Sequence, residues 1–389
     1  MQSDKKMNGR ERIYTTLSHK KTDRCALGYD ATPEVTKSLI KYFRIDKRTD
    51  LTVSKIGTFR SLLGDEDYGM DHEIELLKTL GVDLAWVACP TSTKTIGNWF
   101  GLPLISRSDN GKIRGAWDIG FKEFEYPYGT YIELDDAPLG NADKLSQFIE
   151  HPSPSFDLWN FEALQSIIPR YRDFFVVIHL NGCFDFARFM RGSEQFFLDL
   201  VLEPEKAEIL LDKVNDFAIA FLEKCMNHAD GLVDGVFCGD DFGTQRGLII
   251  SPEMWRQYIK PRYKKLVSAV KDHGLTYFHY TCGGVRPIIS DMIEIGFDVL
   301  NPIQPLAAGM DCKELGMEFG DKLTFHGAID EQRTLPTGRP VDVKNEVIAR
   351  IEALGKYAGY IVAPSHGFQP DTPIENILAM YEAVLGYSL

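Results

Sequence analysis

The chain has little of what marks a protein for nucleic acid, membrane or export. Its 389 residues carry 43 Lys and Arg against 56 Asp and Glu, a formal charge of −13. No basic run exceeds three residues, so the clustered cations that neutralise phosphates are missing. The same negative balance repels anionic lipid surfaces. No stretch approaches the ~20 apolar residues of a membrane span. The N-terminus, MQSDKKMNGRER, lacks the apolar core of a signal peptide. The seven cysteines (25, 89, 183, 225, 238, 282 and 312) form no CxxC pair, which argues against a compact zinc knuckle. In the cytosol they stay reduced. There is no low-complexity tract and no Gly/Ser/Pro linker. These absences describe a soluble, cytosolic protein that binds neither nucleic acid nor membrane, with residues 1–389 forming one domain.

What the chain does have is 44% hydrophobic residues, ample for a large core, and a recurring beat. Eight short apolar runs are each followed by a turn and a helical stretch: CALGYD (25–30), LAWVACP (84–90), FVVIHLNGC (175–183), GVFCGDD (235–241), TYFHYTCG (276–283), DVLNPIQ (298–304), LTFHGAID (323–330) and GYIVAPSH (359–366). Continuous rather than alternating apolar runs suit strands buried on both faces, and intervening helices suit parallel crossovers. Helices are expected over 204–229, 251–274 (capped by Ser251 and kinked near Pro261), 343–356 and 372–387. Eight such units make an α/β fold, a (β/α)8 TIM barrel. An open doubly wound sheet fits worse, because no GxGxxG or P-loop follows any strand. Two segments depart from the beat. Residues 1–22 read as a helical extension, with the helix itself over 8–22. Residues 97–134, aromatic and glycine-rich, read as β-hairpins inserted after the second strand, as a flap over the barrel mouth.

In a barrel of this kind chemistry sits at the C-terminal ends of the strands. Those ends carry Asp30, Cys89, Asn181 with Cys183, Cys238 with Asp240 and Asp241, Cys282, Asn301 with Gln304, His326 with Asp330, and His366. A cysteine there can also be merely a small residue that packs well. Pleating sends Tyr280 and Cys282 to one face and His279 to the other, so His279 reads as a packed histidine outside the lumen. Gly283 and Gly284 leave the Cys282 sulfur uncrowded. His366, in APSHGFQPDTP, can be a metal ligand, a general acid or a structural group. Cys282 and His366, with a carboxylate such as Asp240 or Asp241, would suit a catalytic zinc ion, which needs three protein ligands and one open position. Asp240 and Asp241 read equally as helix caps or as groups that hydrogen-bond a substrate.

The same residues carry a resemblance. DGVFCGDDFGTQRGLIISPEMWRQYIKPRYKKL, HYTCGGVRPIISDMIEIGFDVLNPIQP, FHGAIDEQRTLPTGRP and GYIVAPSHGFQPDTPIENILAMYEAV resemble the uroporphyrinogen decarboxylase superfamily, which also contains corrinoid-dependent methyltransferases. The entry segment NGRERIYTTLSHKKTDRCAL resembles that of the same proteins. The resemblance implies the same eight-fold barrel. The decarboxylase branch is expected to place arginines after the first strand and an aspartate at the end of the second. Here no arginine lies between Arg24 and Arg44, and Cys89 stands at the aspartate position. The methyltransferase branch is expected to show H-x-C-G on the fifth strand. Here the strand reads Tyr280-Thr281-Cys282-Gly283, so the cysteine matches and the histidine does not.

The resemblance therefore implies a methyltransferase that moves a methyl group from a small substrate, O-methylated or otherwise, to a corrinoid carried by a partner protein. Zinc on Cys282 and His366 would assist; His326, Cys238 or an acidic group would supply a third ligand. His366, Asp240 and Asp241 are the expected catalytic residues. Asp30, Cys89, Asn181, Tyr280, Gln304 and His326 are expected to contact substrate. The alternatives are a metal-free decarboxylase of uroporphyrinogen type, a methylcorrinoid:thiol methyltransferase, and a barrel that has lost its activity and only binds.

Overall fold

The computed structural model describes residues 6–45, 69–99, 101–229 and 231–386. Eight parallel strands form the central sheet: β1 (Ala26–Leu27), β2 (Leu84–Val87), β3 (Phe175–Asn181), β4 (Gly235–Gly239), β5 (Thr276–Tyr280), β6 (Val299–Ile303), β7 (Thr324–Ile329) and β8 (Tyr360–Pro364). Each lies inside the apolar run that marked it in the sequence. Around the sheet their order is β1-β8-β7-β6-β5-β4-β3-β2, the sequential order of a (β/α)8 barrel.

The seam between β1 and β2 is stitched by Asp83. Its backbone N–H donates to the Leu27 carbonyl at 2.9 Å, and its carboxylate accepts the Leu27 N–H at 2.8 Å. Arg12 and Arg24 neutralise that buried carboxylate at 2.5 and 2.8 Å. The device recurs one residue ahead of two other strands. Asp234 accepts the N–H of Val176, and Asp298 that of Tyr277. An aspartate at a strand's entry thus ties its neighbour in register.

The N-terminal helix runs over Gly9–Leu17, shorter than the expected 8–22. Asn8 and Glu11 form a reciprocal capping box, and Ser18 ends the helix by bonding back to the last turn. Its Ile13 is fully buried and joins Phe175, Val177, Phe237, Phe278, Val299 and Ile361 in one cluster. The helix therefore plugs the lower mouth, and the lumen is a packed core rather than a pore.

The kink expected at Pro261 is a single π turn, Trp255–Ile259, between the helical segments Pro252–Met254 and Lys260–Asp272. The wider turn absorbs the missing proline N–H and the ring's clash with the preceding turn. The departure after β2 is a five-stranded antiparallel sheet: Gly97–Trp99, Leu102–Arg107, Ile113–Gly115, Gly120–Tyr126 and Gly129–Asp136. Its Leu102, Leu104, Ile113 and Phe121 are buried in the same apolar cluster as the outer face of the barrel. The tip of its last hairpin reaches Glu34, in the helix Pro33–Tyr42 that follows β1.

Candidate active site

The upper ends of β3, β4, β5 and β8 surround a cavity of 260 Å³. Alternation along β3 puts Phe175 and Val177 in the lumen, so His179 and Asn181 follow them upward to the cavity wall. Tyr280 arrives from β5 by the same logic. Trp99 comes from the inserted sheet, and Asp185, Phe186 and Phe189 from the helix Cys183–Arg191 that follows β3. Asp241 and His366 complete the lining, which among the described residues holds no lysine or arginine.

Tyr280, Cys282, Glu331 and His366 form a connected group. The Tyr280 hydroxyl lies 3.1 Å from the Cys282 sulfur, and the His366 ring meets Tyr280 edge-on at 6.4 Å between centroids. His366 Nδ1 lies 3.8 Å from a Glu331 carboxylate oxygen. Asp241 accepts the Cys282 N–H at 2.9 Å. Burial pushes the Cys282 thiol well above its usual range, and the Asp241 and Glu331 carboxylates add to the push. The thiol therefore keeps its proton.

Asp241 also ties the cavity to β3's helix, since its own N–H donates to Asp185 at 3.0 Å. Burial raises the Asp185 carboxyl to about 6; Arg188 beside it pulls it down and Asp241 pushes it up. The Arg188 guanidinium lies 5.2 Å from the Phe189 ring, behind the cavity wall.

Several expected site residues lie elsewhere. Asp240 is fully buried and acts as a helix cap from a neighbouring strand. Its carboxylate accepts the N–H groups of Phe184 and Asp185, both at 2.7 Å, and the Tyr263 hydroxyl at 2.6 Å. Two of these three bonds go to the start of the Cys183–Arg191 helix and the third to Tyr263, so Asp240 positions that helix and does not line the cavity. The approach is close: a Cβ on Gly182 would meet the Asp240 Cγ at 2.2 Å, so only glycine fits there.

Gln304 braces two loops at the strand tops. Its side-chain oxygen accepts the Gly283 N–H and the Gln245 amide, both at 2.9 Å. Gly283 has φ +83°, and its α-carbon packs on the Gly243–Thr244 backbone. Glycine is thus required for loop packing, not for access to sulfur.

Cys89 faces an apolar chamber with Trp117, Trp159, Phe217 and Phe221, and Cys225 is its electrostatic neighbour. It is buried away from the Cys282 group because it sits between the barrel and the helix Pro204–Met226. His326 is sealed in the lumen with its ring 5.7 Å from Trp86, and neither ring nitrogen has a hydrogen-bond partner among the described residues. Burial pulls it down to about 4, so it is neutral at pH 7. Asp30 borders a void of 10 Å³ with Trp86, Phe237, Tyr280 and Asn301, directly under the main cavity. His279 packs outside the lumen on Phe242, Tyr263 and Phe297, as the pleat requires.

The donor set does not fit the expected zinc ion. Among the described residues no three His, Cys, Asp or Glu side chains gather into a metal-holding group.

Sequence reasoning missed Trp99, His179, Asp185, Phe186, Phe189 and Glu331. Asp185 had a signal, since it lies in the first turn after a strand top. Glu331 directly follows the marked Asp330. Trp99 lies in the aromatic segment 97–134 expected over the mouth, but which of its rings reaches the cavity depends on how the inserted sheet folds back.

Residues 116–387 match the uroporphyrinogen decarboxylase (URO-D) family. A methylcobamide:CoM methyltransferase, MtaA, of Methanosarcina barkeri is 31% identical over 135 residues, 35% of this chain and 37% of that protein. A uroporphyrinogen decarboxylase of Coxiella burnetii is 23% identical over 194 residues, 49% of this chain and 50% of that protein. The chain thus spans between about a third and a half of the length of the curated relatives it matches. A methyltransferase from Methanosarcina mazei shares the fold along the whole chain, with a TM-score of 0.68 at 16% identity, covering 98% of this chain and 99% of that one. With the match extending over most of its length, and the strand order and site at the strand tops in agreement, the chain belongs to the uroporphyrinogen decarboxylase family.

Proposed function

We propose that the protein is a methyltransferase that takes a methyl group from a small methylated substrate, O-methylated or otherwise, and passes it to a corrinoid carried by a partner protein. The observation that carries this reading is the cavity lining, with two carboxylates, four aromatic rings and, among the described residues, no lysine or arginine. A tetrapyrrole bearing several carboxylates would need cations there. The methyltransferase relative of M. barkeri supports the same branch.

The reduced corrinoid supplies a nucleophile strong enough to take a methyl group. The chain's own residues do the rest. Trp99, Phe186 and Phe189 exclude water and fix the substrate's apolar part. Tyr280, oriented by its hydroxyl contact with Cys282, forms the floor. With an oxygen-bound methyl, the leaving oxygen gains charge as the carbon departs. His366, beside Glu331, hands a proton to that oxygen. Asp241 holds the Cys282 backbone and so the height of the floor. The inserted sheet, which supplies Trp99, forms part of the face on which the partner docks.

The test is methyl transfer to reduced cobalamin by the parent protein and by His366→Asn and Cys282→Ala. A drop of about 10²-fold or more in His366→Asn with methoxy donors, at unchanged stability, is the expected result for loss of a proton donor. Full activity in both variants would overturn the assignment of the site.

A further inference from the structure

The aromatic and acidic sides of the cavity call for a particular charge in the substrate. Trp99, Phe186, Phe189 and Tyr280 present rings from three separate elements. The Trp99 and Phe189 rings lie 5.9 Å apart and inclined at 59°, so they form a corner rather than a flat slot. Phe121 braces Trp99 from behind at 4.9 Å. Asp185 and Asp241 line the same space, and Glu331 lies beside His366 at its edge. Among the described residues the lining carries no lysine or arginine, and Arg188 stands behind it. It pairs with Asp185 and lies over the Phe184 and Phe189 rings, outside the cavity lining. Asp241 spends one oxygen on the Cys282 N–H. Ring faces attract a cation through their quadrupoles, the more so when water is excluded, and nearby carboxylates add Coulomb attraction in the same direction.

Resting on the methyl-transfer reading above, we infer that the substrate is a small onium cation, a quaternary ammonium or sulfonium compound, whose charged head sits in the corner of Trp99, Phe189 and Tyr280 facing Asp241. The chemistry balances without a proton donor. The methyl carbon leaves nitrogen as the equivalent of CH3+, and its new bond forms to cobalt with the metal's own electron pair, cobalt passing from +1 to +3. The electron pair of the broken carbon–nitrogen bond stays on nitrogen, and a neutral tertiary amine departs. The positive charge that the cavity held is gone in the product, so the same walls that bind the substrate release the amine.

The experiment is titration calorimetry on the full-length protein, with chelator present, using choline and its uncharged carbon isostere 3,3-dimethyl-1-butanol. The two differ in charge and hardly in shape. Choline is expected to bind at least about tenfold tighter. That preference should shrink in Trp99→Leu and in Asp241→Asn, each checked for an unchanged circular dichroism spectrum and melting temperature. Equal or tighter binding of the isostere would overturn the inference. So would stoichiometric zinc uptake in the absence of chelator that abolishes choline binding, since a metal would then be what offsets the acids. The measurement needs no corrinoid. Choline-selective binding without any methyl transfer would leave the cation site standing and remove the methyl-transfer reading; transfer from neutral methoxy donors with no choline preference would do the reverse.

Discussion

Replacing Asp240 with asparagine separates a cap from a catalytic group. Its two carboxylate oxygens serve three donors, at 2.7, 2.7 and 2.6 Å. An asparagine of the same shape offers one oxygen and one NH2 group. The NH2 then faces either the Phe184 N–H, which is buried, or the Asp185 N–H, which is part-buried, and that donor loses its acceptor. An unsatisfied buried donor costs about 1–3 kcal/mol, and the bonds that remain lose their charge assistance, roughly another 1 kcal/mol. Asp240→Asn should therefore destabilise the fold by about 2–4 kcal/mol. Equilibrium unfolding in urea reads this as a lower midpoint at unchanged slope. The neighbouring Asp241→Asn, half-buried and holding one N–H, should cost under about 1 kcal/mol by the same measurement. Equal stability of Asp240→Asn and the parent protein, within about 0.5 kcal/mol, would refute the cap and return Asp240 to the catalytic candidates.

Arg12→Ala leaves the Asp83 carboxylate buried at the β1–β2 seam with Arg24 as its remaining guanidinium, and should cost about 3–5 kcal/mol in urea unfolding. A loss under about 1 kcal/mol would mean the seam does not depend on that pair. His179, His279 and His326 are buried and pulled down to about 3, 3 and 4. Unfolded, each takes a proton near 6.5, so the unfolded chain binds more protons between there and about 4, and stability falls as pH drops through that window. For His326 the gap corresponds to about 3 kcal/mol. In His279→Phe, unfolding midpoints should fall less steeply between pH 6.5 and 4 than in the parent; an unchanged slope would show that His279 does not contribute. Gly182→Ala should behave like loss of the Asp240 cap, because the added methyl displaces that carboxylate; a melting temperature equal to the parent's would contradict the close approach.

The barrel was legible because each strand is buried on both faces and so reads as an unbroken apolar run, from Phe175–Asn181 to Tyr360–Pro364. Pleat alternation was enough to separate Tyr280 from His279, since period two is fixed by the backbone. The site was legible only as a set of strand tops. Asp240 and Asp241 are adjacent in sequence, yet one caps a helix that begins 57 residues earlier and the other faces the cavity. Nothing local distinguishes them, because the cap's donors come from another strand's helix. Trp99 was beyond reach for the same reason: its place in the wall follows from how five inserted strands pack on the barrel. Cys89 could not be assigned to a face from sequence, because a strand top offers two. The outer one, against Trp159 and Phe221, received it.

The most direct test sets the two chemistries of this family side by side on the unmodified protein. One assay follows methylation of reduced cobalamin by its absorbance change, with methoxylated and quaternary ammonium donors. The other follows carbon dioxide release from uroporphyrinogen. The account predicts methyl transfer and no decarboxylation above background. Decarboxylation without methyl transfer would contradict it.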